Sequence, residues 1–478
     1  MKDKSKIIWV HAAVMLFFMF VFGRIFPPIS GITSLGMKFI GIFIGVLYGW
    51  TTCGILWPSL LAWVGIASTG MLPVADYIKV SFGNDTVVFI VFVCIFTAVI
   101  TEAGLVDFIS NWILSRKFVA GNPWNYTAAL LIGCFIAAQI NMLPAILVFW
   151  GIVLATAERF GLKKGDPWVT YMMMGVGIAA SFGGIMLPYH MVPLVVLGVA
   201  SAVTGISMNF FQYLCLAVPA TILSLILYIL IGKFIVRPDM TKLNHLQMEY
   251  DPEKLKLNKK QKVAAIYLFV FMAFMLIPGA LPEGNALKVF LSGIGNLGIT
   301  FLLLISMFWV HVDGKPFIGN FSVIAGKGVN WDIYIIFVFV IPFATLFTHE
   351  ATGVKAALIT ALQPILSGHS PMIFIFMVMI IAGILTNFAN NMVVGSSLVP
   401  IIYAIGGAMG INIMATVAAL VIAISFSFAT PAASTAAAMV FAHDWVDRKE
   451  AYKSGVAFSI IGLIIMIPIS VLLANVVF

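Results

Sequence analysis

Three asparagines and a threonine crowd the six residues Thr386-Asn-Phe-Ala-Asn-Asn391, inside a run from Ala356 to His443 that contains no Asp, Glu, Lys or Arg. Amides are costly in an apolar medium unless something pairs with them. Such a cluster marks either a site for a polar ligand or a clasp between helices. Asn141, in Gln139-Ile-Asn-Met-Leu-Pro144, has the same setting, because Phe118 to Ala157 is also free of charge. Two further stretches interrupt apolar runs. One is Ser181-Phe-Gly183-Gly184, followed by Pro188 and His190; the other is Ser427-Phe-Ala429-Thr430-Pro431. Gly and Pro there argue against unbroken helices. An unwound segment exposes carbonyls which, with Asn or Thr oxygens, can hold a cation such as Na⁺. The N-termini of the flanking helices offer free N–H groups to an anion. No Lys or Arg lies in these segments, so an anionic substrate needs its charge offset by helix ends and cotransported cations. His190 is the one side chain suited to proton coupling, although a lone His is more often structural. Asn141 and Asn391 could equally clasp neighbouring helices.

The elements that carry these groups must be membrane helices. Of 478 residues, 62% are hydrophobic and 9% charged, against about 25% charged in soluble domains. Abundant Gly, Phe and Met (41, 40 and 25) suit helical spans, whereas a barrel shows alternating segments of about ten residues. The fold class expected is an all-α polytopic membrane protein. The net charge of +8 sits in short connections and one longer loop, as the positive-inside rule requires, and not in a nucleic-acid surface. That pattern places the Lys-rich N-terminus in the cytoplasm, with Ile7 to Phe22 as a retained first span of a cytoplasmic-membrane protein. Cys53, Cys94, Cys134 and Cys215 fall in apolar segments without metal-type spacing and read as small core residues.

The order of features repeats. Val-Phe-Val, Phe and Thr at 91–93, 96 and 101 return at 338–340, 343 and 348, an offset of 247. Asn141-Met142 returns as Asn391-Met392, and Ile178-Ala-Ala-Ser-Phe182 as Ile422-Ala-Ile-Ser-Phe426. The expected organisation is a first repeat over 1–236, a cytoplasmic loop over 237–262 and a second repeat over 263–478. Basic residues flank the Asn141 region at Arg116, Lys117, Arg159, Lys163 and Lys164, but the Asn391 region has only Lys355. The copies therefore have opposite orientation, the inverted repeat of secondary transporters. The Asn-bearing stretches are expected to be re-entrant hairpins, at about 125–158 facing the cytoplasm and about 371–405 facing outward. The second stretch is also long enough for two ordinary crossings.

An enzyme is not expected. His349-Glu350 lacks the second His of a metalloprotease helix, and Gly293-Ile-Gly-Asn-Leu-Gly298 lies in an apolar span without a βαβ unit. A channel stays open as an alternative, since pores also use broken helices.

Several stretches resemble the divalent anion/sodium symporters of the ion-transporter superfamily: Gly31-Ile-Thr-Ser-Leu-Gly-Met-Lys-Phe-Ile-Gly-Ile-Phe-Ile-Gly-Val-Leu-Tyr-Gly-Trp50, Asn330-Trp-Asp-Ile333 and Phe428-Ala-Thr-Pro431. The likeness runs over nearly the whole chain. It implies about eleven transmembrane helices plus two hairpins, a homodimer in lipid, and an elevator-type motion. The substrates implied are di- or tricarboxylates or sulfate, carried by symport with Na⁺ as coupling ion and without a bound cofactor or other metal. Family hairpin tips read Ser-Asn-Thr; here they read Ile140-Asn141-Met142 and Asn390-Asn391-Met392, with the Asn kept and the hydroxyls replaced. The resemblance assigns substrate to Asn141, Asn390, Asn391, Thr430, Pro431 and Pro188. It assigns Na⁺ to Asn141, Ser181, Gly183, Gly184, Thr386, Asn391 and Ala429, with Gly183-Gly184 and Ala429-Thr430-Pro431 as the two broken-helix loops. Proton coupling through His190, or anion exchange without Na⁺, is the alternative within this fold.

Overall fold

The computed structural model describes residues 2–29, 31–116, 122–243, 256–366 and 370–478. Met1, Lys117 and the 244–255 part of the expected loop lie outside the described residues. The chain opens with α1 (Lys2–Leu16), which continues through a π-helical turn, then α2 (Ser34–Thr52) and α3 (Leu56–Ala67). Next come α4 (Asp85–Glu102), α5 (Leu105–Leu114), the pair α6 (Pro123–Ala138) and α7 (Met142–Arg159), the broken pair α8 (Pro167–Met186) and α9 (Met191–Thr204), and α10 (Phe210–Ile231). The second half gives α11 (Lys259–Ala280), α12 (Ala286–Trp309), α13 (Trp331–Phe347), α14 (Val354–Leu366), the pair α15 (Pro371–Leu385) and α16 (Asn391–Ala408), the broken pair α17 (Ile413–Ile424) and α18 (Thr435–Ala442), and α19 (Arg448–Val477). By length and composition, 10 of the described helices can cross a membrane, or 11 if the bent pair Phe321–Gly328 and α13 is one span. α6 and α15, with 16 and 15 residues, are shorter than a full crossing.

Helices start where the sequence supplies caps. Asn84, Asn122, Asn209, Asn285, Asn330 and Asn412 each accept hydrogen bonds from first-turn amides of the helix that follows. Asn258 and Gln261 make a reciprocal capping box at α11.

Hydrogen bonds between connections fix which ends meet. At one end, Gln261 Nε2 donates to the Gly104 carbonyl (2.9 Å), the Gly165 amide to Trp445 (3.0 Å) and Lys453 Nζ to Val236 (3.2 Å). At the other end, Asn209 Nδ2 donates to Gly279 (3.2 Å), Gln212 Nε2 to Val477 (3.2 Å), and Thr33 Oγ1 to Ala351 (2.8 Å). These pairings make α4 antiparallel to α13, α8–α9 to α17–α18, and α10 to α19. In order, α2 to α10 is matched by α11 to α19 with direction reversed, and α1 stands outside the repeat. The bundle is thus an inverted repeat. Its first end carries Arg159, Lys163, Lys164, Lys233, Arg237, Lys259, Lys260 and Lys262.

The two halves meet on equivalent residues. Phe182 and Phe426, partners in the sequence repeat, have ring centroids 5.0 Å apart, and both pack on Phe458 of α19, at 5.6 and 5.1 Å. Tyr171 and Tyr228 stack at 4.8 Å and each hydroxyl donates to the other's carbonyl, which ties α8 to α10.

The structure corrects two expectations. Ser181, Gly183 and Gly184 do not unwind: α8 runs through them to Met186, and the break is Leu187–His190. The glycines serve approach instead. A Cβ on Gly183 would lie 2.3 Å from the Phe135 carbonyl oxygen of α6, while one on Gly184 would face Met142 at 3.8 Å. The cysteines are not all core: Cys134 is buried, Cys53 and Cys94 are half-buried, and Cys215 is exposed.

Replacing Gly183 with Ala is expected to force α6 and α8 apart and destabilise the protein by ~1–3 kcal/mol, the usual range for overpacking. Gly184→Ala, with room for its methyl, should stay within ~1 kcal/mol. Unfolding midpoints in detergent compare the two, and equal midpoints would remove the packing argument.

Candidate functional site

The first tip is the turn Gln139–Asn141 between α6 and α7. Its amides close onto α6: Ile140 N–H donates to Ala137 at 3.0 Å and Asn141 N–H to the same carbonyl at 3.4 Å. Asn141 caps α7, with Oδ1 accepting from the Leu143 amide at 3.3 Å. Its Nδ2 has no protein acceptor among the described residues. His190 caps the far side of the first break without a side-chain capping bond and donates Nε2–H to the Gln139 carbonyl at 2.8 Å. The imidazole therefore ties the break in α8–α9 to the hairpin tip. Pro188 is buried within that break, and Tyr189 stacks on His190 while its buried hydroxyl has no partner among the described residues.

A cleft of about 670 Å³ opens at this tip. Asn141, Leu143 and Pro144 of α7 and Met191 of α9 form one wall; Thr101 and Glu102 of α4, Lys327, and Asn330 to Asp332 at the start of α13 form the other. Two helix N-termini on the first wall, those of α7 and α9, thus face one cavity, with the N-terminus of α13 and the C-terminal ends of α4 and of the helix Phe321–Gly328 on the opposite wall. First-turn amides have no intrahelical acceptor, and the partial positive charge of both termini falls on the same space.

The second tip is built differently. Its centre is Asn387, a buried side chain that the sequence reading counted in the cluster but gave no role. Asn387 Nδ2 donates to Gly383 (2.8 Å) and Phe426 (3.0 Å). Its Oδ1 accepts from the Ala429 amide (2.9 Å) and Ser459 Oγ (3.2 Å), and its backbone carbonyl accepts from Thr430 Oγ1. Thr386 Oγ1 donates to Ile424 at 2.9 Å, and the Asn391 amide to Ala433 at 3.2 Å. The loop Ser425–Ser434, which contains Ala429, Thr430 and Pro431 as expected, is held to the α15–α16 turn by the bonds at Phe426, Ala429, Thr430 and Ala433, while Thr386 ties the turn to α17 and Ser459 ties it to α19. A Cβ on Gly455 of α19 would lie 2.1 Å from the Phe428 carbonyl, so the loop is also closed from behind.

Around Asn387 the structure brings together Thr386, Asn391, Ala429 and Thr430. It places Asn141 with His190 and Gly184 at the other tip. The cleft at the first tip does not include the second-tip residues. Asn390, not Asn391, caps α16, with Oδ1 accepting from Met392 at 3.0 Å; Asn391 Oδ1 shares that amide at 2.9 Å. By capping geometry Asn141 thus corresponds to Asn390, one residue from the match read in sequence. The Nδ2 groups of Asn390 and Asn391 have no protein acceptor among the described residues and remain available as donors. Glu102, Lys327 and the first turn of α13 were not read as site residues; nothing in their spacing distinguishes them from interfacial positions.

Asn387→Ala should cost ~3 kcal/mol of stability, because it leaves buried loop amides and carbonyls unpaired. Asn391→Ala, which removes a side-chain Nδ2 without an acceptor among the described residues, should cost ~1 kcal/mol or less. Denaturant unfolding of the purified variants separates them, and a reversed order would contradict this division between structural and available amides.

Comparison with known proteins bears on the family and the fold. An uncharacterised transporter from Methanocaldococcus jannaschii is 24% identical over 370 residues, which cover 74% of this chain and 77% of the relative. The crystal structure of the Alcanivorax borkumensis YdaH transporter, described as having an unusual topology, superposes with a TM-score of 0.57. It covers 84% of this chain and 87% of its own at 13% identity, a likeness of fold. The family model described as citrate transporter matches residues 45–426. The chain belongs to the citrate transporter family, within the ion-transporter superfamily.

Proposed function

We propose that the protein is a secondary active transporter of the cytoplasmic membrane that moves a small organic anion, a di- or tricarboxylate, by symport with Na⁺. The observation that carries this reading is the cleft at the first tip, where helix N-termini converge with Asn141, whose Nδ2 has no acceptor among the described residues. Carboxylates suit that chemistry: N–H donors and dipole ends bind oxygen anions without a fixed cation. The name of the matched family points to citrate. The cation would be held by Asn and carbonyl oxygens, at the first tip by Asn141 and by Ser181, Gly183 and Gly184 in the last turns of α8 before the break. Thr386, Asn391 and Ala429 would hold it at the second. Asn390, Thr430, Pro431 and Pro188 would complete the substrate's surroundings.

Orientation follows from charge. The end bearing Arg159, Lys163, Lys164, Lys233 and Arg237 is cytoplasmic by the positive-inside rule, which puts the N-terminus there and opens the first-tip cleft to the cytoplasm. The hairpins and broken helices, tied to each other, would move as a body against α1 to α5 and α11 to α14, an elevator within each protomer of a homodimer.

Citrate and succinate uptake into proteoliposomes, with and without an inward Na⁺ gradient, tests the reading. Saturable uptake driven by Na⁺ and reduced at least about tenfold in Asn391→Ala, a loss of ~1.4 kcal/mol, supports site and coupling together. Uptake that never concentrates substrate would instead indicate a channel. A proton-coupled carrier is the second reading, favoured by the contact of His190 with the first tip. It predicts uptake that follows a pH gradient without Na⁺ and is lost in His190→Gln.

A further inference from the structure

The cleft that ends at Asn141 has two walls of different kinds. One, Asn141, Leu143 and Met191, belongs to the hairpin and the broken helix. The other is built on α4 and on the short helix Phe321–Gly328, which meets α13 at 62°. That short helix is pinned to α4: a Cβ on Gly328 would lie 2.5 Å from Ala98 Cβ and 3.2 Å from the Cys94 carbonyl. Lys327 projects from it, lines the cleft and is exposed. It makes no ion pair with any described residue, although Glu102 and Asp332 line the same cavity. It is the one cationic side chain among the residues lining this cleft.

We infer that Lys327 is a specificity-determining residue on the cytoplasmic face, which receives the distal carboxylate of a substrate whose other end lies at the Asn141 tip. The inference rests on the proposed carboxylate transport and adds a sidedness to it. Glu102 and Asp332 on the same wall carry two negative charges that would repel an anion from this cavity, and the Lys327 ammonium offsets one of them. A monocarboxylate held at the tip leaves Lys327 unengaged, whereas a tricarboxylate reaches furthest across the cleft. Because Lys327 is fixed to α4 and not to the hairpin, it can meet substrate only when the tip faces the cytoplasm. Its contribution is therefore confined to binding from that side.

The experiment measures half-saturating citrate and succinate concentrations separately on the two faces, in proteoliposomes of determined orientation, for wild type, Lys327→Gln and Lys327→Arg. Exposed ion pairs are modest, up to ~1 kcal/mol, or about fivefold in affinity. Lys327→Gln is expected to raise the cytoplasmic half-saturation for citrate about threefold to fivefold, to raise that for succinate less, and to leave the external face unchanged. Lys327→Arg should restore the wild-type value. Equal effects on both faces, no effect on either, or the same effect for both substrates would overturn the inference while carboxylate transport stood. Wild-type protein that carries neither substrate would remove the underlying reading, and this inference with it.

Discussion

A helix broken within a bilayer must still satisfy its backbone, because no water is present to do so. Every other feature of this protein depends on how that requirement is met. At the second break the answer is one side chain. Asn387 uses both amide hydrogens and two acceptor positions on Oδ1, and its own carbonyl takes the Thr430 hydroxyl. A buried network is stable when every member is satisfied, and here the loop, the hairpin turn and α19 are joined through a single residue. The first break has no such centre. A single imidazole joins it to its hairpin, and the remaining support is the tight α6–α8 crossing at Gly183. The halves are alike in topology and unlike in how they are closed.

Topology was readable because it rests on pattern. Charge-free runs and the offset repeats survive in the structure as apolar helices, antiparallel partners and the Phe182–Phe426 contact. The observed break falls inside the interrupted stretch that begins at Ser181, but the glycines in that stretch do not unwind, because Gly-Gly signals two different needs. It can mark unwinding or close approach, and only the position of Phe135 decides for the second. Asn387 was overlooked for a related reason. Sequence shows that an amide is buried among apolar residues, but whether it is satisfied or available depends on residues such as Ser459, 72 positions away. The cleft wall was illegible altogether, since Glu102 and Lys327 come together only through the packing of the short helix on α4.

The distinction between satisfied and available amides bears on charge. A helix N-terminus contributes ~0.3–1 kcal/mol to an anion near the surface, and up to ~2 kcal/mol when partly buried. Two such ends and a few amide donors fall well short of the several kcal/mol lost by each ion taken out of water. A multiply charged carboxylate therefore cannot be held at the tip by these groups alone. A cation accompanying it into the low-dielectric region would make up the difference, which is the physical case for the proposed coupling where the candidate binding segments lack Lys and Arg.

The same energetics explain why a fixed lysine belongs on the outer wall and not at the tip. An ammonium carried through the membrane with the hairpin would bring its own desolvation cost on every transit, including the return without substrate. Placed on the short helix against α4, it stays hydrated at the membrane surface and acts only on arrival and departure. The tip residues Ile140 and Met142, apolar where the resembling family has hydroxyls, fit the same division. The tips that would cross carry no charged side chain, and fixed charge is left on the part that would not.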